Sequence, residues 1–184
     1  MITEYSYPEF FKFYKVRNVK SPSRGTEEAA GIDFFVPELD DTFVADLVKK
    51  NKNIMLSIDE TNTLHIHLQP GQRVLIPSGI KCMIAKGTAL IAANKSGVST
   101  KKGLRFTAQV VDSDYSGEVH LGVANDSDEQ VIISSGEKLI QFIHTPVILS
   151  TPVECTEKNE FDDFHSLSAR KDKGFGSNIS MQKA

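Results

Sequence analysis

Two acidic residues directly follow an apolar run and could supply a general base. Asp112 comes after Val110-Val111, and Asp114 follows it before the turn Tyr115-Ser116-Gly117. A carboxylate at the end of a strand is held rigidly, and a second carboxylate nearby can raise its pKa, which suits proton abstraction. An ordinary Asp-rich hairpin turn has the same composition, so the spacing alone leaves that alternative open.

A basic segment with glycines and hydroxyl groups comes just before this turn. Residues 92–106 contain no acid, and their four cations are Lys95, Lys101, Lys102 and Arg105. Small residues let backbone N–H groups approach an anion, and the lysines add compact charge, which is what a phosphate group requires. The segment does not match the phosphate loop GxxxxGK[ST], so a solvated basic loop is the alternative.

The end of the chain carries a third candidate, RKDKGFGS at residues 170–177. Arg170 could pair bidentately with phosphate, and the ring of Phe175 could stack on a base. The glycines allow close backbone approach. A flexible tail without a binding role is the alternative.

The remaining candidates favour structural roles. His65 and His67 share one strand face, but no third metal ligand is evident nearby. His120 and His144 are isolated within apolar runs and are expected to be structural. We expect Cys82 to pack as a small apolar residue and both cysteines to stay reduced.

Short strands must position these residues, because most of the chain alternates between apolar runs and turn pairs. This pattern predicts an all-β barrel or jelly roll. The predicted strands are residues 11–17, 54–58, 63–69, 73–76, 80–85, 88–93, 104–111, 118–124, 130–133 and 139–148. Residues 40–50 instead have apolar side chains at helical spacing, acids at the start and lysines at the end, which predicts one inserted amphipathic helix.

Length and charge limit the classes of function. The chain has 184 residues, which fits one domain, and its formal net charge is −3. An acidic chain is a poor candidate for coating nucleic acid, which needs surplus Lys and Arg. No apolar run is long enough for a membrane span, and residues 1–15 lack the apolar core of a signal peptide. We therefore expect a cytoplasmic protein with neither nucleic acid nor a membrane as partner.

Taken in order, five segments resemble the motifs of the trimeric dUTPase family. Several positions depart from the usual pattern: Lys95 and Lys138 stand where Arg is usual, Asn94 where Pro is, and Gln109 where Gly is frequent; in the last segment Lys171 and Lys173 replace glycines. The five segments are AGIDF at 30–34, NKSGV at 94–98, VDSDYSGE at 111–118, GEKLIQ at 136–141 and RKDKGFGS at 170–177.

The resemblance implies hydrolysis of dUTP to dUMP and pyrophosphate by a homotrimer, with each site assembled from three subunits. Its fold would be a distorted, jelly-roll-like β-barrel. Asp112 would activate the attacking water, and Tyr115 would stack beneath the deoxyribose. The uracil would be read by the hairpin residues Phe106, Gln109, Val110 and Val111.

The resemblance also indicates which residues would bind the phosphate groups. A neighbouring subunit would hold them through Lys95, Ser96, Gly97 and Gln141. On the C-terminal arm of the third subunit, Arg170 would hold the γ-phosphate and Phe175 would cover the base, with Gly176 and Ser177 as further substrate contacts. Mg²⁺ would bind mainly to the triphosphate oxygens, with no protein residue assigned as its ligand. Asp33 would support the barrel or contact the waters of the metal.

The predicted organisation is one β-barrel domain at residues 1–163, with an insert at about 38–69, and a flexible arm at 164–184. A viral chain would act in the host cytoplasm. Two other functions stay open: a dCTP deaminase of the same fold, and a regulatory protein that binds nucleotide without turnover.

Overall fold

The computed structural model describes residues 10–166, and within this range the chain is mostly β. This confirms the predicted fold class. The elements in chain order are β1 (Phe11–Lys15), β2 (Ser23–Arg24), β3 (Gly31–Phe35), α1 (Asp41–Lys50), β4 (Met55–Ile58), β5 (Leu64–Leu68), β6 (Arg73–Ile84), β7 (Thr88–Ala93), α2 (Ser96–Lys102), β8 (Leu104–Phe106), β9 (Val110–Asp112), β10 (Glu118–Asn125), β11 (Val131–Ser134), β12 (Lys138–Pro146) and α3 (Lys158–His165).

The strands of the described residues form three antiparallel sheets. Their strand orders are β1-β6-β10-β8, β11-β5-β4 and β2-β3-β12-β7-β9. Buried aliphatic and aromatic side chains from these strands form one core, in which the rings of Phe34 and Phe142 meet edge to face at 4.7 Å. Because neighbours in the sheets are distant in sequence, residues from separate motifs come together on adjacent strands.

The chain divides into two compact units, and the first ends at Ile148 while the second begins at Leu149. The first contains all the strands and the first two helices. In the second, the structure describes α3 (Lys158–His165), which sequence analysis did not predict. No helix among the described residues is both long and apolar enough to cross a membrane.

Helix α1 confirms the predicted inserted helix. Asp40 caps its start by accepting a hydrogen bond from the Phe43 N–H at 2.8 Å, and Phe43 and Leu47 are its buried residues. After its end, the Asn51 amide donates to the carbonyls of Leu47 and Leu75 and accepts from the Leu75 N–H at 2.8 Å. Asn51 therefore attaches the end of the helix to β6.

The predicted break between the strands 73–76 and 80–85 is wrong, because one strand, β6, continues through it with a bulge. In the pairing with β10, Glu118 lies opposite Lys81 while His120 lies opposite Pro77, so β6 carries extra residues between them. Gly79 has φ +74, which glycine adopts without steric cost, and its N–H donates to the Glu118 carboxylate at 2.7 Å. The bulge thus keeps a buried backbone donor satisfied.

The predicted strand at residues 104–111 is also wrong, because it is two strands in different sheets. Strand β8 pairs with β10, whereas β9 pairs with β7. Between them, the Thr107 N–H still donates to the Gly122 carbonyl at 2.8 Å. The basic segment before β8 folds as helix α2, which the sequence did not predict, and Gly103 at φ +65 ends it.

Candidate active site

A buried carboxylate gathers two lysines on the sheet that contains β3 and β12. Asp33 is only 3% exposed; its Oδ1 accepts from Lys95, and its Oδ2 lies 3.1 Å from the Lys138 Nζ. Gln141 lies directly opposite Asp33 in the β3–β12 pair. We call Asp33, Lys95, Lys138 and Gln141 the lysine cluster. A buried carboxylate needs such partners, and here they leave two cations and an amide close together.

The amide of Gln141 is fixed by the backbone around it. Its Nε2 donates to the Asn94 carbonyl at 2.9 Å, and the Asn94 side chain accepts from the Phe106 N–H at 3.1 Å. A Cβ atom on Gly31 would overlap the Gln141 side chain. The first, second and fourth sequence motifs therefore meet at Gln141.

The predicted phosphate residues Ser96 and Gly97 are exposed at the start of α2, directly after Lys95. Other cations of the basic segment pair elsewhere. Lys102 contacts Glu137 at 2.5 Å, and Arg105 contacts Asp126 at 2.7 Å. Lys95 is therefore the cation that connects this segment to the lysine cluster.

The turn after β9 holds Asp112 and Tyr115. Asp112 is exposed at the end of β9, and its carbonyl accepts from the Tyr115 N–H at 3.1 Å. The Tyr115 hydroxyl donates to the Glu118 carbonyl at 3.0 Å, and its ring lies so close to Gly117 that a Cβ there would overlap it. The ring is 44% exposed. One face of the tyrosine thus remains available to a ligand.

A cavity of about 270 Å³ opens beside this turn. Its lining includes Val110, Val111, Asp112, Tyr115, His120 and Phe142. It brings together the predicted base and two of the four predicted uracil-reading residues, Val110 and Val111. Gln109 is exposed next to it, and its carbonyl accepts from the Ala92 N–H at 2.7 Å.

His120 belongs to this cavity, although sequence analysis expected a purely structural residue. Its Nε2 is buried without a hydrogen-bond partner among the described residues, and burial lowers the pKa of the imidazole. Burial therefore favours the neutral form of the ring.

The lysine cluster and the Asp112 turn are far apart within one chain. Asp112 lies opposite Ala89 in the β7–β9 pair, and Lys95 comes six residues later. At about 3.3 Å per strand residue, the two side chains start roughly 15 to 20 Å apart. One chain therefore carries two separate groups of candidate residues, the lysine cluster and the Asp112 turn.

Other predicted residues lie elsewhere or outside the described range. Arg170, Phe175, Gly176 and Ser177 fall outside residues 10–166. His65 bonds to Asp59 and Ser134, and His67 bonds to Ser57 and Gln130. No group of three or more His, Cys, Asp or Glu side chains arranged to hold a metal occurs in that range.

A larger cavity of about 510 Å³ lies at residues 50–54 and 68–73 and includes no predicted site residue.

Cys82 packs in a half-buried position, and burial raises its pKa to about 12, which makes the thiol unreactive.

Comparison with known proteins gives one family. The dUTPase family model matches residues 59–179, which is more than half of the chain. The deoxyuridine 5′-triphosphate nucleotidohydrolase of Rhizobium rhizogenes is 31% identical over 163 residues, covering 88% of this chain and 86% of the relative. That of Hydrogenobaculum sp. is 35% identical over 112 residues, covering 60% and 73%.

Solved structures of phage enzymes share the fold. The Staphylococcus bacteriophage 80alpha dUTPase with dUpNHpp has a TM-score of 0.69 at 20% identity, covering 94% of this chain and 99% of that chain. A variant dUTPase from phage phi11 of S. aureus, solved with a structural Mg(II) ion, has a TM-score of 0.61 at 18% identity, covering 82% and 99%. Together with the geometry of the lysine cluster and the Asp112 turn, the match over residues 59–179 shows that the chain belongs to the dUTPase family.

Proposed function

We propose that this protein hydrolyses dUTP to dUMP and pyrophosphate by attack of a water molecule on the α-phosphorus. The observation that carries the proposal is the cavity beside Asp112 and Tyr115, in a chain of the dUTPase family. The substrate is a polyanion, so catalysis rests mainly on positioning and on electrostatic stabilisation of the transferred charge.

Asp112 is the general base. Its carboxylate is exposed at the mouth of the cavity, so it can reach a water molecule there. Strand pairing between β9 and β7 fixes its backbone, which orients the carboxylate toward the attacking water. The water loses its proton to Asp112 as its oxygen bonds to phosphorus and pyrophosphate leaves.

Uracil and deoxyribose occupy the 270 Å³ cavity. Val110 and Val111 line the cavity, Phe106 and Gln109 complete the proposed uracil-reading hairpin, and close fit excludes the methyl group of thymine. The exposed face of Tyr115 lies beneath the deoxyribose and leaves no room for a ribose 2′-hydroxyl. Specificity then comes from steric exclusion rather than from a charged contact.

The phosphate groups are bound by the lysine cluster of a neighbouring subunit, with Lys95, Ser96, Gly97 and Gln141 as contacts. The separation of roughly 15 to 20 Å between Asp112 and Lys95 within one chain supports this sharing. A closed homotrimer brings the Asp112 turn of one chain against the lysine cluster of the next. Since lysine offers a point charge where the family usually has the fork of Arg, Lys95 relies on Asp33 for its orientation.

Mg²⁺ binds mainly through the triphosphate. Both carboxylate oxygens of Asp33 face lysines. Mg²⁺ usually keeps several waters and takes its other ligands from carboxylates and substrate phosphates, which supports binding through the triphosphate. When bound, the ion would neutralise phosphate charge and orient the triphosphate for in-line attack.

As the sequence predicts, we also propose a catalytic domain at residues 1–163 and an arm at residues 164–184 that closes a neighbouring site; residues 167–184 lie outside the described range. In that arm Arg170 is proposed to hold the γ-phosphate and Phe175 to cover the base, with Gly176 and Ser177 as further substrate contacts. We also propose a cytoplasmic location, where a thiol such as that of Cys82 stays reduced.

The test is pyrophosphate release from dUTP, dTTP, dCTP and UTP, with and without Mg²⁺. We expect release from dUTP alone, dependent on Mg²⁺. Ammonia from dCTP without pyrophosphate from dUTP would identify a deaminase, and dUTP binding without turnover would identify a regulatory protein. Sedimentation should show a trimer, since a stable monomer contradicts the shared site.

A further inference from the structure

A buried ion pair connects the end of β1 to the start of β10. Arg17 has a side chain only 8% exposed, and its Nε lies 2.8 Å from Oε1 of Glu118, while its Nη2 lies 3.0 Å from Oε2. Such a bidentate pair fixes orientation as well as charge. The two residues are 101 positions apart, so the pair forms only in the folded barrel.

The other side of the Arg17 guanidinium faces the inserted helix α1. Its Nη2 contacts the Asp46 carboxylate, and its Cζ lies 5.9 Å from the centroid of the buried Phe43 ring. Arg17 is therefore held between α1 and β10. Removing it would leave Glu118, whose side chain is 15% exposed, without its countercharge.

Glu118 also contacts Tyr115 through its backbone. Its Oε1 accepts a second hydrogen bond from the Gly79 N–H, and its carbonyl accepts from the Tyr115 hydroxyl at 3.0 Å. Gly117 lies directly under the ring. The orientation of the half-exposed tyrosine therefore depends on the backbone of residues 117–118, which the Arg17–Glu118 pair anchors.

We propose that Arg17 and Glu118 are positioning residues that hold the Tyr115 ring in the orientation that excludes a ribose 2′-hydroxyl. The inserted helix adds to this support through Asp46. The proposal rests on the proposed role of Tyr115 beneath the deoxyribose. A ring displaced by about 1 Å no longer blocks the hydroxyl, and displacements of that size change rates up to about a hundredfold.

The kinetic test compares kcat/KM for dUTP with kcat/KM for UTP. Arg17→Met should reduce this ratio about tenfold through loss of the anchor, and Arg17→Lys should reduce it less because the charge remains. Glu118→Gln should resemble Arg17→Met. Asp126→Asn removes a matched but exposed arginine pair, that of Arg105, and should leave the ratio at the wild-type value.

A second readout needs no substrate. In protein labelled with 3-fluorotyrosine, the ¹⁹F resonance of Tyr115 is assigned by its loss in Tyr115→Phe. It should shift or broaden in Arg17→Met and stay unchanged in Asp126→Asn. If wild-type protein does not hydrolyse dUTP, the proposed function fails while this readout still tests the anchor.

A purely structural role predicts another result. In that case Arg17→Met lowers the melting temperature but leaves both the Tyr115 resonance and the dUTP/UTP ratio at wild-type values, and the proposal is overturned. Should Arg17→Met fail to fold, Arg17→Lys and Glu118→Gln make the same comparison with smaller disturbance.

Discussion

Gly31 and Gln141 lie on paired strands so close together that a side chain on the first would displace the second. A Cβ on Gly31 would lie 2.7 Å from Cδ and 3.0 Å from Cβ of Gln141. The space is needed because the Gln141 amide must pass Gly31 to reach the Asn94 carbonyl. The glycine of the first motif thus serves the glutamine of the fourth.

Gly31→Ala should therefore weaken substrate binding more than it weakens the fold. We expect the KM for dUTP to rise about tenfold, since the amide proposed to bind phosphate leaves its position. Steady-state kinetics and thermal unfolding measure the two effects. Gly25→Ala is the control, because a Cβ there meets no atom within 4 Å. Equal KM values for the two variants would contradict this role of Gly31.

Asp112→Asn should abolish turnover while it preserves binding. Loss of a general base lowers kcat by about 10²- to 10⁴-fold, and the amide keeps the size of the carboxylate. Pyrophosphate release and equilibrium binding of dUTP check the two parts. Asp128→Asn, at an exposed position before β11, is the control. Unchanged turnover in Asp112→Asn would remove Asp112 from the role of base.

The cap of α1 should make stability depend on pH. The Thr42 hydroxyl and the Phe43 N–H hold the pKa of Asp40 below its ordinary value. A lowered folded-state pKa stabilises the fold above the ordinary pKa of an aspartate, and this contribution is lost as the pH falls through the folded-state value.

Urea unfolding at about pH 6 and about pH 3 tests this dependence. Wild-type protein should lose more stability on acidification than Asp40→Asn, because Asn caps a helix without a titrating group. Asp40→Ala should cost about 1 kcal/mol at neutral pH. Identical pH profiles for wild type and Asp40→Asn would show that the lowered pKa has no consequence for folding.

Local patterns were sufficient to predict most strands and helix α1, because these elements depend on alternation, helical spacing and caps. The errors arose where pairing overrides local signals. Pro77 and Gly79 are typical of a turn, yet β10 pairs on both sides of them, and the Glu118 carboxylate satisfies the backbone between. Helix α2 has no buried residue, so its sequence carries no apolar stripe, and α3 was also not predicted.

The motifs located the site residues in sequence but not their partners. Asp33 with Lys95 and Arg17 with Glu118 are separated by 62 and 101 positions. No local feature relates such residues, since the barrel alone brings them together. The cavity beside Asp112 was not predictable for the same reason, because its lining comes from β6, β9, β10 and β12, which lie in two sheets.

The distance between Asp112 and the lysine cluster within one chain has a genetic consequence. A chain with Asp112→Asn and a chain with Lys95→Ala are each expected to be inactive, yet each retains the half that the other lacks. When the two are unfolded together, mixed in equal amounts and refolded, about a quarter of the shared sites should combine both intact halves. Each chain refolded alone provides the background. Activity that recovers only in the mixture would make this enzyme a case of complementation between alleles of one gene, whereas a mixture as inactive as its components would place the whole site within a single chain.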